Sequence, residues 1–503
     1  MTLAAACGWS LARSLALALA AWPICKWQCQ WLRGMDARPR RLAWFALMLP
    51  FLCPELWAGY AWSGFAIQLA NTRFWQLFPS DLWASSPQSI VHRDAGVDEL
   101  LLDLLLFFRA VPVGTLAIYF APAPPLSAEA LHCRRLALAT PREHGLLARG
   151  WLGFLLRRRL HAALPAMGLM FVATFQEFEL ASLIGRPAWT VWLFDAQVGG
   201  LALDESLRRA ALPVACQAAV LAPLVGLLVT SRSLPSRRAA RSGQPNRRSQ
   251  AALWCLAIAA VIVTFIVPAT LIGRGTFGGL ATIFRNKTQL SALTKEILVG
   301  SGYAFAAAAV STAIAAQLCQ WARIWRPAIM ALVAAALPGL FGSLVLSLAL
   351  IQLLQQPFVY VAYKTPLSYA AGLSLFLLPR AIVLRLLLWS SDQTAGVHVA
   401  WLLGRSPDSA IRRAARELIW HAQLRREFWS LALLTYWAYL DLTVAYLLAP
   451  ATIVSAPVLL YNQMHFGKNA VLSAMTLLAV LVPALLFVLA SAARPILFRW
   501  FRR

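Results

Sequence analysis

The chain has 503 residues, of which 60% are hydrophobic and only 13% charged, with a formal net charge of +25, and its mean hydropathy is +0.65. A soluble protein of this length needs far more charge to cover its surface, so composition excludes the soluble globular class. The basic excess does not read as a nucleic-acid face either. Its Arg residues fall in short clusters between long apolar runs, as the positive-inside rule arranges them.

Apolar runs of roughly 20 residues cross a bilayer as helices. In chain order they lie near 8–30, 42–64, 100–121, 162–183, 209–231, 251–273, 295–318, 328–354, 366–390, 428–448 and 469–492, eleven spans in all. No basic residue lies in Met1 to Cys7 ahead of the first run, which speaks against a cleaved signal peptide. Pro54, Pro112, Pro338 and Pro379 fall inside runs, where neighbouring helices can satisfy the backbone groups they free. The basic clusters occupy alternate connections, around Arg33–Arg41, Arg134–Arg159, Arg232–Arg248, Arg323–Arg326 and Arg405–Arg426, and then the C-terminal tail. That side is cytoplasmic by the same rule, so the N-terminus is expected outside and the C-terminus inside.

The chain also repeats itself. Pro54 to Gln68 (PELWAGYAWSGFAIQ) matches Pro338 to Gln352 (PGLFGSLVLSLALIQ), and His132 to Pro141 matches His398 to Pro407. Glu177 faces Asp441, and LFDAQVGG at 193–200 faces LYNQMHFG at 460–467. The matches keep their order and their sidedness, so the expected fold is all-α and polytopic, with two parallel homologous halves. These are 1–231 with about five spans and 251–503 with about six, joined by a basic cytoplasmic linker at 232–250.

The eight Cys residues stand singly and read as small hydrophobes in helices. The seven His residues form no HxxxH or HExxH, so no zinc site is expected. Trp residues gather at span ends as an aromatic belt. Only 20 residues are acidic, and Glu177, Glu179 and Asp441 lie in the penultimate spans of the two halves. A carboxylate at mid-membrane costs about 2.5–3.5 kcal/mol on insertion scales, so each should meet a partner, such as Arg109 or Arg385, or an aqueous cavity. On the second reading they flank a translocation path suited to a cationic or metal-linked solute. Phe194, Asp195, Tyr461 and Asn462 are expected to cap re-entrant turns or to form an external contact surface. A different class, a multi-span enzyme acting on lipid-linked substrates, rests on Asp81, His92, Arg93, Asp94, Asp98 and Glu99. A membrane protein that has lost transport is the third.

Each half carries a long cytoplasmic segment before its penultimate span, near 122–161 and 391–427. In the second, residues 408–424 place Ile411, Ala415, Leu418 and Ile419 on one helical face and Arg on the other. HVAWLLGRSPDSAIRRAARELIW resembles the EAA loop of ABC importer permeases. Ala400, Gly404, Ser406 and Pro407 match that pattern, with His398 in place of the usual Glu. In the first half His132 again replaces Glu and Leu138 the Gly, while Thr140 and Pro141 stand where Ser406 and Pro407 do. QEFELASLIG and LLAPATIVSAPVLLYNQMHFG resemble the C-terminal signatures of fused permeases of the iron(III)/thiamine importer type. The resemblance implies a bacterial inner-membrane permease, not itself an enzyme. Its expected partners are a cytoplasmic ABC ATPase dimer that binds ATP, a periplasmic substrate-binding protein and membrane lipid. There is no GxxxxGK[ST] with which this chain could cradle ATP itself, and no resident cofactor is expected.

Overall fold

The computed structural model describes residues 2–63, 65, 87–120, 163–230, 247–325, 327–390, 394–464 and 469–500. Every element among them is helical. In chain order these are α1 (Leu3–Gly34), α2 (Ala37–Leu52), α3 (Glu55–Trp62), α4 (Pro87–Phe120) and α5 (Ala163–Phe175). There follow α6 (Glu179–Ile184), α7 (Trp189–Val198), α8 (Leu203–Thr230), α9 (Arg247–Val261) and α10 (Val267–Arg285). Then come α11 (Lys287–Ile324), α12 (Ala328–Leu340), α13 (Ser343–Leu354), α14 (Pro366–Ser390) and α15 (Thr394–Leu403). The last are α16 (Ser409–Ile419), α17 (Arg425–Leu440), α18 (Leu442–Leu448), α19 (Ala456–Met464) and α20 (Ala470–Trp500).

Six helices are long and apolar enough to cross a membrane, and nine spans result if each of three sharply bent pairs counts as one. The bends are 70° between α2 and α3, 100° between α12 and α13, and 57° between α17 and α18. The two other expected spans, 162–183 and 209–231, fall on the short apolar helix α5 and on α8. Such helices begin where the sequence supplies a cap: Thr2, Asn286, Asp408 and Asn469 each accept a backbone N–H of the following turn.

The chain divides into two compact units, one of Met1–Asp195 with Ala211–Ala269, the other of Ala196–Ala210 with Thr270–Arg503. In unit 1, α4 packs on α1, α2 and α6, while α3 packs on α6 and α1 on α2. The break after α2 is held from three sides. Pro54 starts α3, Arg109 of α4 donates to the Cys53 carbonyl at 2.5 Å, and Arg109 also pairs with Glu55. A π turn at Ile262–Ile266 joins α9 to α10, and carbonyls in that turn take donors from the broken pair. Trp62 Nε1 reaches Val263 O at 3.1 Å and Cys53 Sγ reaches Thr264 O at 3.0 Å. Close packing follows from Gly114, where a Cβ would stand 2.4 Å from Met170 Sδ and 2.8 Å from Cys25 Sγ.

Unit 2 has five corresponding packing pairs among its helices α11 to α14 and α18. There α14 packs on α11, α12 and α18, α13 packs on α18, and α11 on α12. Its break uses glycine instead of charge: Gly342 has φ 95° and ψ 161°, a backbone region open essentially to Gly alone. Anchored on the two breaks, Pro54 stands opposite Gly342, so the sequence match of Pro54 with Pro338 is four residues out of register. Gly339 lets α12 touch Leu375 O, the α14 carbonyl whose i+4 donor Pro379 lacks; a Cβ there would lie 2.4 Å from that oxygen. Gly275 and Gly279, a GxxxG pair on α10, bring α20 in against their backbone, and a Cβ on Gly279 would overlap Ala470 O at 1.9 Å.

Candidate functional site

The segment near 391–427 folds as a helical hairpin from Thr394. Gly404 ends α15 by donating to Ala400 O at 2.9 Å, and Arg405 and Ser406 close the turn on Leu402 O and Leu403 O. Ser406 Oγ then accepts from Asp408 N at 3.2 Å, and the Asp408 carboxylate accepts from Ala410 N at 2.8 Å, which starts α16. A Cβ at Gly404 would press on Trp401 O and Ala400 O, at 3.3 and 3.4 Å. Ala400 is fully buried, whereas His398 and Pro407 are exposed and Gly404 and Ser406 half-buried. Of the expected apolar face of α16, Ala415 and Ile419 are buried, but Ile411 and Leu418 are exposed. Together with Val399, Trp401, Leu402 and Leu403, also exposed, they leave an apolar surface beside Arg405, Arg413 and Arg416. The first-half segment, with His132, Thr140 and Pro141, lies outside the described residues.

The intramembrane acids sit where helices break. Glu177 follows the end of α5, is 5% exposed, and its carboxylate accepts from Leu180 N at 2.8 Å. Asp441 separates α17 from α18 and accepts from Val444 N, also at 2.8 Å. Each carboxylate accepts from the backbone N–H three residues on, but Asp441 directly precedes α18 and caps it, whereas Phe178 stands between Glu177 and α6. Glu177 and Glu179 lie within electrostatic reach of Arg109, as does Glu55. Unit 1 thus places three acids within electrostatic reach of one half-buried guanidinium. Arg385, the other cation considered for these acids, pairs instead with Glu427 at 2.7 Å.

The short helices α7 and α19 show the same burial pattern. In α7, Leu193 and Phe194 are buried and Asp195 is exposed; in α19, Leu460 and Tyr461 are buried and Asn462 is exposed. Phe194 packs its ring 4.6 Å from that of Phe178, so only the third residue of each trio faces outward. His465 to Lys468 lie outside the described residues.

Of the residues grouped for a membrane enzyme, Asp81 and the side chains of His92, Arg93 and Asp94 lie outside the description. Glu99 is locked in place. It accepts from Trp9 Nε1 at 2.7 Å, Arg13 at 3.0 Å and Arg186 at 2.9 Å. Sequence reasoning missed the Glu55–Arg109 pair and this Glu99 cluster. A signal for the first existed: Arg109-Ala110 on α4 and Arg380-Ala381 on α14 are matched dipeptides, each within an apolar stretch of its helix.

The long apolar helices, the broken pairs and the buried ion pairs define the class: a membrane-embedded, all-helical protein. No family model matches the chain, and no characterised protein or solved structure is significantly similar to it.

Proposed function

We propose that the chain is the fused permease subunit of an ABC importer in a bacterial inner membrane, driven by separate ATPase subunits and fed by a periplasmic binding protein. Its halves are 1–231 and 251–503, with 232–250 as the cytoplasmic linker, eleven spans in all, the N-terminus outside and the C-terminus inside. The observation that carries this reading is the α15–α16 hairpin, turned at Gly404 directly before a broken span, with exposed apolar side chains beside Arg405 and Arg413. Such a surface suits docking of a cytoplasmic partner. The recurrence of helix order, packing pairs and carboxylates that accept a backbone N–H three residues on in the two units supports a parallel duplication. Broken helices are how transporters line a midplane path, and Glu177, Glu179 and Asp441 stand at or beside such breaks. Through the sequence resemblance the cargo is iron(III) or thiamine.

Co-expression with an ABC-type ATPase from an adjacent reading frame tests the reading. The ATPase should co-purify with the chain, and Trp401→Glu should weaken that association by about tenfold or more. An ATPase that never associates, or one indifferent to Trp401→Glu, contradicts the reading.

A further inference from the structure

We propose that unit 2 contains a binding site for a small monovalent cation, Na+ in class, built from Glu296 on α11, Tyr439 near the end of α17 and Ser455 just before α19. Glu296 and Gly300 are four residues apart and therefore share one face of α11. Gly300 leaves that face bare, and two side chains close over it. A Cβ built there would stand 3.4 Å from the Tyr439 ring and 3.8 Å from Ser455 Cβ. Tyr439 and Ser455 are each 2% exposed. The Tyr439 hydroxyl, the Ser455 Oγ and one carboxylate oxygen of Glu296 are all buried without a hydrogen-bond partner. Tyr439 also lies within electrostatic reach of Glu296.

Buried polar atoms in native proteins are almost always satisfied, so the orphaned Tyr439 and Ser455 hydroxyls over Gly300, one turn from the half-buried Glu296 with its own orphaned oxygen, call for a guest. The chemistry of the guest follows from the donors. All are hard oxygens, which suits an alkali or alkaline-earth ion rather than a softer metal. The group holds one carboxylate, so a single positive charge is neutralised, whereas a divalent ion would keep an uncompensated charge in a low-dielectric bundle. Water would satisfy the two hydroxyls but not the carboxylate's charge. Lys295, the chain neighbour of Glu296, is exposed and leaves that carboxylate oxygen unpartnered. The three residues come from α11 and from both sides of the 57° break at Asp441, so a bound ion would tie the two sides of the break to α11. The site does not depend on the importer reading.

The test is the thermal unfolding of the purified full chain in detergent, followed by the fluorescence of its 21 Trp residues. NaCl is titrated against choline chloride at constant ionic strength. The expected result is a saturable, Na+-specific rise in Tm of about 1–2 °C at ten times Kd. Glu296→Gln should abolish the rise, and Ser455→Ala, which removes one oxygen without altering the packing, should shift the midpoint to about tenfold higher Na+. Identical curves in Na+ and choline would mean that water fills the site and would overturn the proposal. A rise that survives Glu296→Gln, or an unshifted midpoint in Ser455→Ala should the first variant not fold, would place the ion elsewhere and overturn it equally.

Discussion

In unit 1 the seam between α1 and α4 carries ions, whereas the matching seam of unit 2, between α11 and α14, carries rings and hydroxyls. Arg13 stands 21 residues before the end of α1 and bonds Glu99, ten residues before Arg109 on α4. Tyr303 stands 21 residues before the end of α11, and its ring lies 5.5 Å from that of Tyr369, eleven residues before Arg380 on α14. One turn along, Ser311 Oγ donates to Ser374 O at 2.8 Å, where unit 1 has Asp103 in place of Ser374. The breaks differ in the same sense, with proline and an Arg–Glu pair in unit 1 and glycine in unit 2. The shared helix order therefore rests on apolar spans and broken pairs, not on any particular polar contact. Where ions do occur, they must satisfy one another, because nothing else in an apolar bundle will.

The largest effect should come from breaking the ionic seam. Glu99→Gln leaves Arg13 and Arg186, with side chains 3% and 18% exposed, short of their counter-charge, and should cost about 3–5 kcal/mol. In unit 2, Ser311→Ala removes only the hydroxyl bonds to Ser374 O and Ala307 O and should cost about 1 kcal/mol. Unfolding in graded denaturing detergent reads both, and equal losses would remove the distinction between the seams.

A smaller effect separates the two glycine contacts. Gly339→Ala drives a Cβ against the Leu375 backbone carbonyl, which cannot yield, and should cost about 1–3 kcal/mol. Gly59→Ala meets Leu183 Cδ1 at 2.7 Å, which a rotamer can move, and Leu183 Cβ at 3.0 Å, which needs a shift of the helix itself by a few tenths of an ångström, and should cost about 1 kcal/mol. The same unfolding assay checks the pair; a Gly59 variant as damaged as the Gly339 variant would show that α3 and α6 are packed as rigidly as α12 and α14.

Much of this was legible in the sequence, and the part that was not has a physical cause. Nine of the eleven apolar runs fall on a long apolar helix or a bent pair, because length and hydropathy decide whether a segment suits lipid, while 162–183 falls on the short helices α5 and α6 and 209–231 on α8. Glu177 and Asp441 each accept a backbone N–H three residues on, although Asp441 directly precedes α18 and Glu177 stands one residue further from α6. The Pro54–Pro338 match failed because the chain breaks at Cys53–Pro54 in one unit and at Gly342 in the other, and Pro338 sits inside α12. Proline in a membrane helix marks a weakened turn without fixing where the bend falls. Glu55 drew no attention in the sequence, since its role depends on Arg109 arriving from another helix, 54 residues on. Nor could the hairpin face be read from α16 alone: Ile411 and Leu418 share a helical side with Ala415 and Ile419, but α15 covers only part of it.

The sidedness of Gly404 bears most directly on the importer reading. Arg405, exposed at the hairpin turn, can be replaced by cysteine and challenged with a membrane-impermeant maleimide, the unsubstituted chain serving as the blank. Labelling in inside-out vesicles with protection in right-side-out ones is the expected result. Labelling from the outer face alone would contradict a cytoplasmic coupling hairpin and the transporter assignment with it.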